Sequence, residues 1–336
     1  MEPVTHTLAS LALARAGINR ATRLATPMVF LAGVAPDLDL LSRWLGPASY
    51  LAYHRAATHS LAGASALSVL IALLFWLTGR RHEKAPIRFG GALLAAGAGT
   101  ALHLLFDLTN NRGVQLLWPF HAKWYAWDLA DIVDPWVLAL LLLGLLLPGL
   151  FRLVTQEIGA RPAVHGAQRG AIVALALVAL YGGARLWLHT RAMATLDSHV
   201  YHGAAPLAFA AFPAATWPFV WYGIVETENT IEEVEVRLGP GSYFAPDSGR
   251  TNFKPEPSPA LEAARNTQSA ETFLRYARFP WASVVRLQQG YRIELRDLRF
   301  AAALPRRPGL MATIEVDDNL RITKEELNFE PRERLR

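Results

Sequence analysis

The stretch His54-Arg55-Ala56-Ala57-Thr58-His59-Ser60 stands directly before an apolar run from Leu61 to Thr78. That juxtaposition constrains the chain more than any other feature. As a helix the run is close to the roughly 20 residues that cross a bilayer core. Two imidazoles, a guanidinium and two hydroxyls at the mouth of such a segment are costly unless they have partners. Those partners have to come from other segments.

Charge is divided unevenly along the 336 residues. Through Tyr222 there are 16 Lys/Arg and 10 Asp/Glu, whereas the remainder carries 17 and 18. The first two thirds is therefore lipid-like in composition and the last third water-like. The excess positive charge lies in short loops between apolar segments, which makes it topology information. No extended basic groove is present, and no nucleic-acid partner is expected. Cysteine is absent, so disulfides and thiolate metal sites are excluded and any metal must take nitrogen and oxygen ligands. Arg15, Arg20 and Arg23 follow the first apolar patch, the wrong order for a secretory signal, and the N-terminus is expected to be retained.

Thr5 to Ala16 reads as a short helix capped by Thr5 or Thr7 and ended by Gly17. After the basic turn, Leu24 to Val34 runs into Ala35-Pro36-Asp37-Leu38-Asp39. Neither segment is long enough to span, and together they read as a short helical hairpin with His6 and Asp37 at a similar depth. Leu61 to Thr78 and Phe89 to Leu108 read as spans joined by the basic loop of Arg80, Arg81, Lys84 and Arg88. Val137 to Leu147 leads past Pro148 to a second basic set, Arg152, Arg161 and Arg169, and Ala171 to Leu188 is the last long apolar run. Tryptophans between Thr109 and Trp136 suggest an interfacial belt. Both basic loops are cytoplasmic by the positive-inside rule.

Beyond Ala204 the period changes. Trp217 to Thr227 and Thr230 to Leu238 read as a hairpin around Glu228-Asn229, and Ser258 to Arg278 has helical spacing with Ser258 as cap. Val284 to Arg286, Tyr291 to Phe300, Met311 to Val316 and Leu320 to Phe329 alternate like half-buried strands, with a turn at Asp318-Asn319. The expected fold is mainly α: a polytopic helical membrane domain over 1–203 with a His/Asp metal site, and a small α+β extracytoplasmic domain over 204–336.

His6, Asp37, His59, His103, Asp107 and Asp134 all fall at segment ends opposite the arginine-rich loops. His103 and Asp107 are spaced i,i+4, on one helix face, where they suit either a shared ion or a structural His–Asp hydrogen bond. Asp37 and Asp39 read either as ligands or as a helix-end cap. His54 and His59 share a site only if a turn precedes the helix, which Thr58 or Ser60 as N-cap supplies. Five or six such groups at one membrane level need mutual or metal compensation. Imidazoles and carboxylates without thiolate suit zinc, with manganese or iron as alternatives. Arg55 and Arg112 suit an anionic group such as a phosphoryl oxygen, or headgroup contact. Asp128, Asp131 and Asp134 either support the ligands from behind, ligate a second ion, or form a solvated loop with Asp134 capping the next helix.

Thr5-His6, Pro36-Asp37-Leu38-Asp39, His54-Arg55 with Thr58-His59-Ser60, and His103 with Asp107 ahead of Gly113 and Leu116-Leu117-Trp118-Pro119-Phe120 occur in the order and approximate spacing of a known group. Across roughly Met1 to Pro135 the sequence resembles the YdjM-like membrane-bound metal-dependent hydrolases of bacteria, one member of which is controlled by the DNA-damage repressor. That family is in turn regarded as distantly similar to zinc-dependent phospholipase C and single-strand-specific zinc nucleases. The resemblance implies phosphoester hydrolysis at a divalent metal held by His6, Asp37, His59, His103 and Asp107, with Asp39 in the same motif and His54 as ligand or proton shuttle. Departing from those secreted enzymes, the chain has no second helix of His and Glu ligands after Asp107.

These readings converge on a multi-pass protein of the bacterial inner membrane whose site and C-terminal domain face outward. The expected activity is hydrolysis of a phosphoester or related bond in a lipid or membrane-proximal substrate, with His54 or a spare carboxylate accepting a proton and Arg55 on the anion. A non-catalytic scaffold whose metal only staples helices is the rival. A transporter would spread polar residues over several depths, whereas here they cluster at one.

Overall fold

The structure is a computed structural model that describes residues 1–82, 85–158, 165–300 and 309–329, with Phe329 described in its backbone alone. Lys84 and Arg161 of the two basic loops lie outside the described residues. In chain order the helices are α1 (Pro3–Ala16), α2 (Ala25–Val34), α3 (Pro47–Tyr53), α4 (Leu61–Gly79), α5 (Phe89–Thr109), α6 (Pro135–Glu157), α7 (Gly166–Asp197), α8 (Pro259–Arg265) and α9 (Gln268–Tyr276). The strands are β1 (Ala208–Pro213), β2 (Val220–Glu226), β3 (Thr230–Arg237), β4 (Arg250–Phe253), β5 (Pro280–Arg286), β6 (Tyr291–Asp297), β7 (Leu310–Val316) and β8 (Ile322–Phe329). The chain forms two compact units: Met1–Leu40 with Arg55–Trp187, and Leu41–His54 with Leu188–Arg336.

In the first unit, α1 starts with a proline that needs no hydrogen-bond partner and is capped by Glu2, whose Oε1 accepts from Thr5 N at 3.2 Å. The cap is therefore Glu2 rather than Thr5 or Thr7, because Thr5 already lies inside the first turn. Gly17, at φ +151°, ends the helix. Residues 25–45 correct the hairpin reading in a second respect. α2 passes at Ala35 directly into a 3-10 helix over Ala35–Leu45, giving a continuous 21-residue segment. Pro36 removes a backbone donor at the junction, which the tighter helix tolerates. Among the described residues, five segments are then long and apolar enough to cross a membrane: Ala25–Leu45, α4, α5, α6 and α7.

α6 continues through Pro148 to Glu157. α6 meets α7 by backbone approach: a Cβ added to Gly170 would lie 2.6 Å from the Gly144 carbonyl oxygen. α2 and α5 approach in the same way, a Cβ on Gly99 falling 2.6 Å from the Val29 carbonyl oxygen and 2.9 Å from Ala32 Cβ. Small residues give apolar helices their contact surface where no hydrophobic force separates lipid from neighbour. This close pair is what places the C-terminal half of α5 against the end of α2.

The second unit holds two antiparallel four-stranded sheets, ordered β1-β2-β3-β4 and β5-β6-β7-β8. The expected hairpin at Glu228-Asn229 is β2–β3, paired from Val220↔Arg237 to Glu226↔Ile231. Ser258 caps α8 as expected, but Thr267 takes over as a new cap at α9, so the helical stretch is two helices. β1 and β4 are additions to the sequence reading. The first sheet is packed on the last turns of α7, through Leu188, Ala192 and Leu196 with Trp221, Val225 and Val234. The second sheet buries Ile293 and Ile314 against Ala264 of α8 and Phe273 of α9, and its core also takes in Tyr50 and Leu51 of α3. Tyr201 donates to the Leu196 carbonyl at 2.9 Å, and burial together with nearby Glu232 pushes its phenol up to about 12.

Candidate metal centre

Four segments of the first unit deliver the polar residues. The i,i+4 spacing sets His103 and Asp107 on the buried face of α5. The 3-10 segment after α2 turns Asp37 inward while Leu38 stays exposed. The turn before α4 supplies Arg55, held at φ +62°, then Thr58 and His59; it closes at Ser60, whose Oγ caps α4 by accepting from Gly63 N at 2.9 Å. The fourth segment, α1, contributes His6.

Asp37, His59, His103 and Asp107 are all buried, and one donor atom from each lies within 4.8 Å of every other. Hydrogen bonds behind the rings fix which nitrogens face inward. His103 Nδ1 is 2.9 Å from the Gly33 carbonyl oxygen, which can only accept, so Nδ1 carries the proton. His59 Nδ1 is 3.0 Å from Asp39 Oδ2, another acceptor. Each Nε2 therefore faces the interior of the cluster, and the two are 3.0 Å apart. Asp107 Oδ2 lies 3.1 Å from His59 Nε2 and 3.6 Å from His103 Nε2; Asp37 Oδ1 lies 3.7 and 3.8 Å from the same atoms. Two ring nitrogens and two carboxylate oxygens are thus concentrated in one buried volume, the kind of donor set that a cation standing among them would hold together. Donors around a tetrahedral ion at bond lengths of about 2.0–2.1 Å are spaced roughly 3.3–3.4 Å apart, so the set fits a divalent cation. Asp37 Oδ2 and Asp107 Oδ2 are also buried without a hydrogen-bond partner among the described residues.

The opposite oxygen of Asp107 is saturated with donors. Oδ1 accepts from Arg55 Nη2 at 3.0 Å and Asn110 Nδ2 at 3.3 Å, lies 3.3 Å from His6 Nε2, and touches the α-amino group of Met1. Arg55 Nη1 also donates to Asn110 Oδ1 at 2.9 Å. The carboxylate is thus oriented with Oδ2 toward the histidines. Asp39 is placed one layer out from the four donors: its Oδ2 accepts from Thr58 Oγ1 at 2.7 Å and Arg55 N at 2.8 Å as well as from His59. His6 stacks on the His103 ring with centroids 3.8 Å apart.

Other residues singled out in the sequence stand elsewhere. His54 is the C-cap of α3 in the second unit, its ring stacked on Tyr50 at 4.7 Å. Asp134 caps α6, accepting from Trp136 N and Val137 N, and also accepts from Tyr181 Oη at 3.0 Å. Asp128 is buried at φ +55° in a loop tied to the end of α5 through Leu129 N and Ala130 N on the Thr109 carbonyl. The Gly33 carbonyl and Asn110 escaped the sequence reading. A backbone acceptor carries no side-chain signal, whereas Asn110, three residues beyond Asp107 at a helix end, could have been found from spacing.

The family model described as YdjM inner membrane protein matches residues 1–192. The uncharacterized protein YfhP of Bacillus subtilis (strain 168) is 29% identical over 145 residues, 41% of this chain and 43% of that protein, so the chain spans less than half of this relative's length. No solved structure matches. The family match takes in more than half of the chain and every donor of the cluster, and the chain belongs to the YdjM inner membrane protein family.

Proposed function

We propose that the protein is a membrane-bound metal-dependent hydrolase acting on a phosphoester or related bond in a lipid or membrane-proximal substrate. The observation that carries this reading is the pair of facing Nε2 atoms, 3.0 Å apart between two buried carboxylates. A nitrogen–oxygen donor set without thiolate suits zinc, with manganese or iron as alternatives. Asp37, His59, His103 and Asp107 would hold the ion, and the chemistry it supplies when bound is activation of water as a nucleophile near neutral pH. Asp39 and the Gly33 carbonyl hold the two imidazoles in the ligating tautomer. Arg55 and Asn110 orient Asp107, which assigns the Arg55 guanidinium to positioning. Asp37 Oδ2, buried without a hydrogen-bond partner among the described residues, would take up a proton.

An outward-facing site is part of the proposal. Arg80, Arg81 and Arg88 stand at the α4–α5 connection, at the opposite ends of those helices from His59 and Asp107, and Arg152 and Arg169 flank the α6–α7 connection. The positive-inside rule then supports a cytoplasmic place for both connections and an extracytoplasmic one for residues after α7.

The four protein donors also favour a second reading, because a filled tetrahedral shell is the mark of a structural ion. In that case the metal staples helices and the C-terminal unit binds a partner. Elemental analysis of the detergent-purified protein, with His103→Ala and Asp107→Ala beside it, tests both. Near-stoichiometric metal lost in the two variants, with phosphoester or phospholipid hydrolysis lost in parallel, supports the hydrolase. Bound metal with no turnover of either substrate class supports the staple, and a folded wild type that takes up no metal refutes both.

A further inference from the structure

We propose that the β1–β2 turn of the C-terminal unit, Trp217-Pro218-Phe219, is inserted into the lipid–water interface and docks that unit on the bilayer. α7 is longer than a span requires: its apolar run ends at Leu188, and His189, Thr190 and Arg191 follow before the helix stops at Asp197. The first sheet is packed on exactly this emergent part. The His189 ring meets the Trp221 ring at 5.4 Å, at the start of β2. Two turns further along the helix, Leu196 packs where a Cβ on Gly223 would sit, farther along the same strand.

Strand β2 and the last turns of α7 therefore advance together, away from the apolar run. The β1–β2 turn precedes Trp221 and lies at the end of the sheet nearer the level of His189. The β2–β3 turn at Glu228-Asn229 lies at the other end. The composition of the two turns follows this polarity. Trp217 is 70% exposed and Phe219 49% exposed, two large apolar side chains turned out of a small domain, whereas the opposite turn exposes Glu228 and Asn229.

Tryptophan beside proline and phenylalanine at the level where an apolar helix gives way to His-Thr-Arg suits the headgroup boundary, where indole rings concentrate and arginine finds lipid phosphate. Arg191 is exposed at the same level of α7. A soluble partner would need a larger matched surface than one turn offers, whereas an interface continuous with the span needs no second binding event. Docking of this kind holds independently of which side of the membrane the unit occupies and of the metal chemistry.

Because the chain contains no cysteine, single thiols can be placed without background. The test uses Trp217→Cys, Phe219→Cys and Glu228→Cys of the full chain, each labelled with an environment-sensitive nitrobenzoxadiazole dye. The labelled proteins are reconstituted in phosphatidylethanolamine–phosphatidylglycerol vesicles, with and without lipid bearing a nitroxide near the headgroup. Blue-shifted emission and loss of most of the fluorescence to the nitroxide lipid at positions 217 and 219, with aqueous emission at 228, is the expected result. Aqueous emission at both 217 and 219 overturns the proposal. So does a blue shift that the nitroxide lipid fails to quench, since another protein surface then covers the turn.

Discussion

Asp39→Asn separates a ligand from a residue that positions one. Asp39 Oδ2 collects three donors, His59 Nδ1 at 3.0 Å, Thr58 Oγ1 at 2.7 Å and Arg55 N at 2.8 Å. Asparagine keeps the volume and one carbonyl oxygen but removes the charge, so the bond that fixes the His59 tautomer loses about half its strength. Loss of such an outer partner typically weakens metal binding about 10–100-fold, or about 1.4–2.8 kcal/mol. Competition against a chromophoric zinc chelator in detergent gives the affinity directly. The same titration on His103→Ala, which removes one of the four inner donors, sets the scale for a lost ligand. A tenfold to hundredfold weakening in Asp39→Asn, with His103→Ala losing measurable affinity, is the expected outcome. Unchanged affinity in Asp39→Asn refutes the tautomer argument. Loss as complete as in His103→Ala shows that Asp39 ligates the ion itself and that the layering derived above is wrong.

Chelation of the metal is expected to lower the thermal midpoint of the detergent-solubilised protein, and re-addition to restore it, by about 4 kcal/mol of linkage at a thousandfold excess over the dissociation constant; differential scanning fluorimetry reads both. Gly99→Ala drives a Cβ to 2.6 Å from the Val29 carbonyl oxygen; prying α2 from α5 is expected to cost about 1–3 kcal/mol and to reduce metal content, because the Gly33 carbonyl behind His103 moves with α2. Leu51→Ala, which empties a buried position in the core of the second sheet, is expected to destabilise the second unit by about 2–5 kcal/mol, measurable by thermal unfolding and by proteolysis within residues 259–329. Tyr201, with its phenol held up at about 12, contributes stability that is fully present below the ordinary tyrosine range near 10 and is lost as pH rises toward 12; Tyr201→Phe is expected to flatten alkaline unfolding over that window, followed by circular dichroism.

Period and charge made much of this protein legible. An i,i+4 His–Asp pair, a 3.6 period in apolar runs and a 2.0 period after Ala204 are local properties, and the helices and most strands follow from them. The register of β2 with β3 needed only the turn residues Glu228-Asn229 between two alternating runs. Less legible was the continuation of helices through proline. The apolar runs end at Val34 and Leu147, just before Pro36 and Pro148, yet the segments continue to Leu45 and Glu157 because a long apolar segment leaves its backbone groups no better partner than its own helix.

The donor set was within reach of the sequence, but its layering was not. His6, Asp39 and His54 match the four inner donors in residue type and lie in the same motifs, so pattern alone ranks them together. Only tertiary structure separates them, by placing Asp39 on the outer nitrogen of His59, His6 on the outer oxygen of Asp107 and His54 against Tyr50. The same holds for residues 41–54, which stand in sequence between Asp39 and Arg55 yet join the core of the second unit through Tyr50 and Leu51. The sequence by itself determined what must be buried and what must be compensated, since the cost of desolvating a charge or an apolar side chain depends on the residue alone. Which atoms meet was decided by tertiary structure, because hydrogen-bond direction and close helix approach depend on backbone positions that no single segment controls.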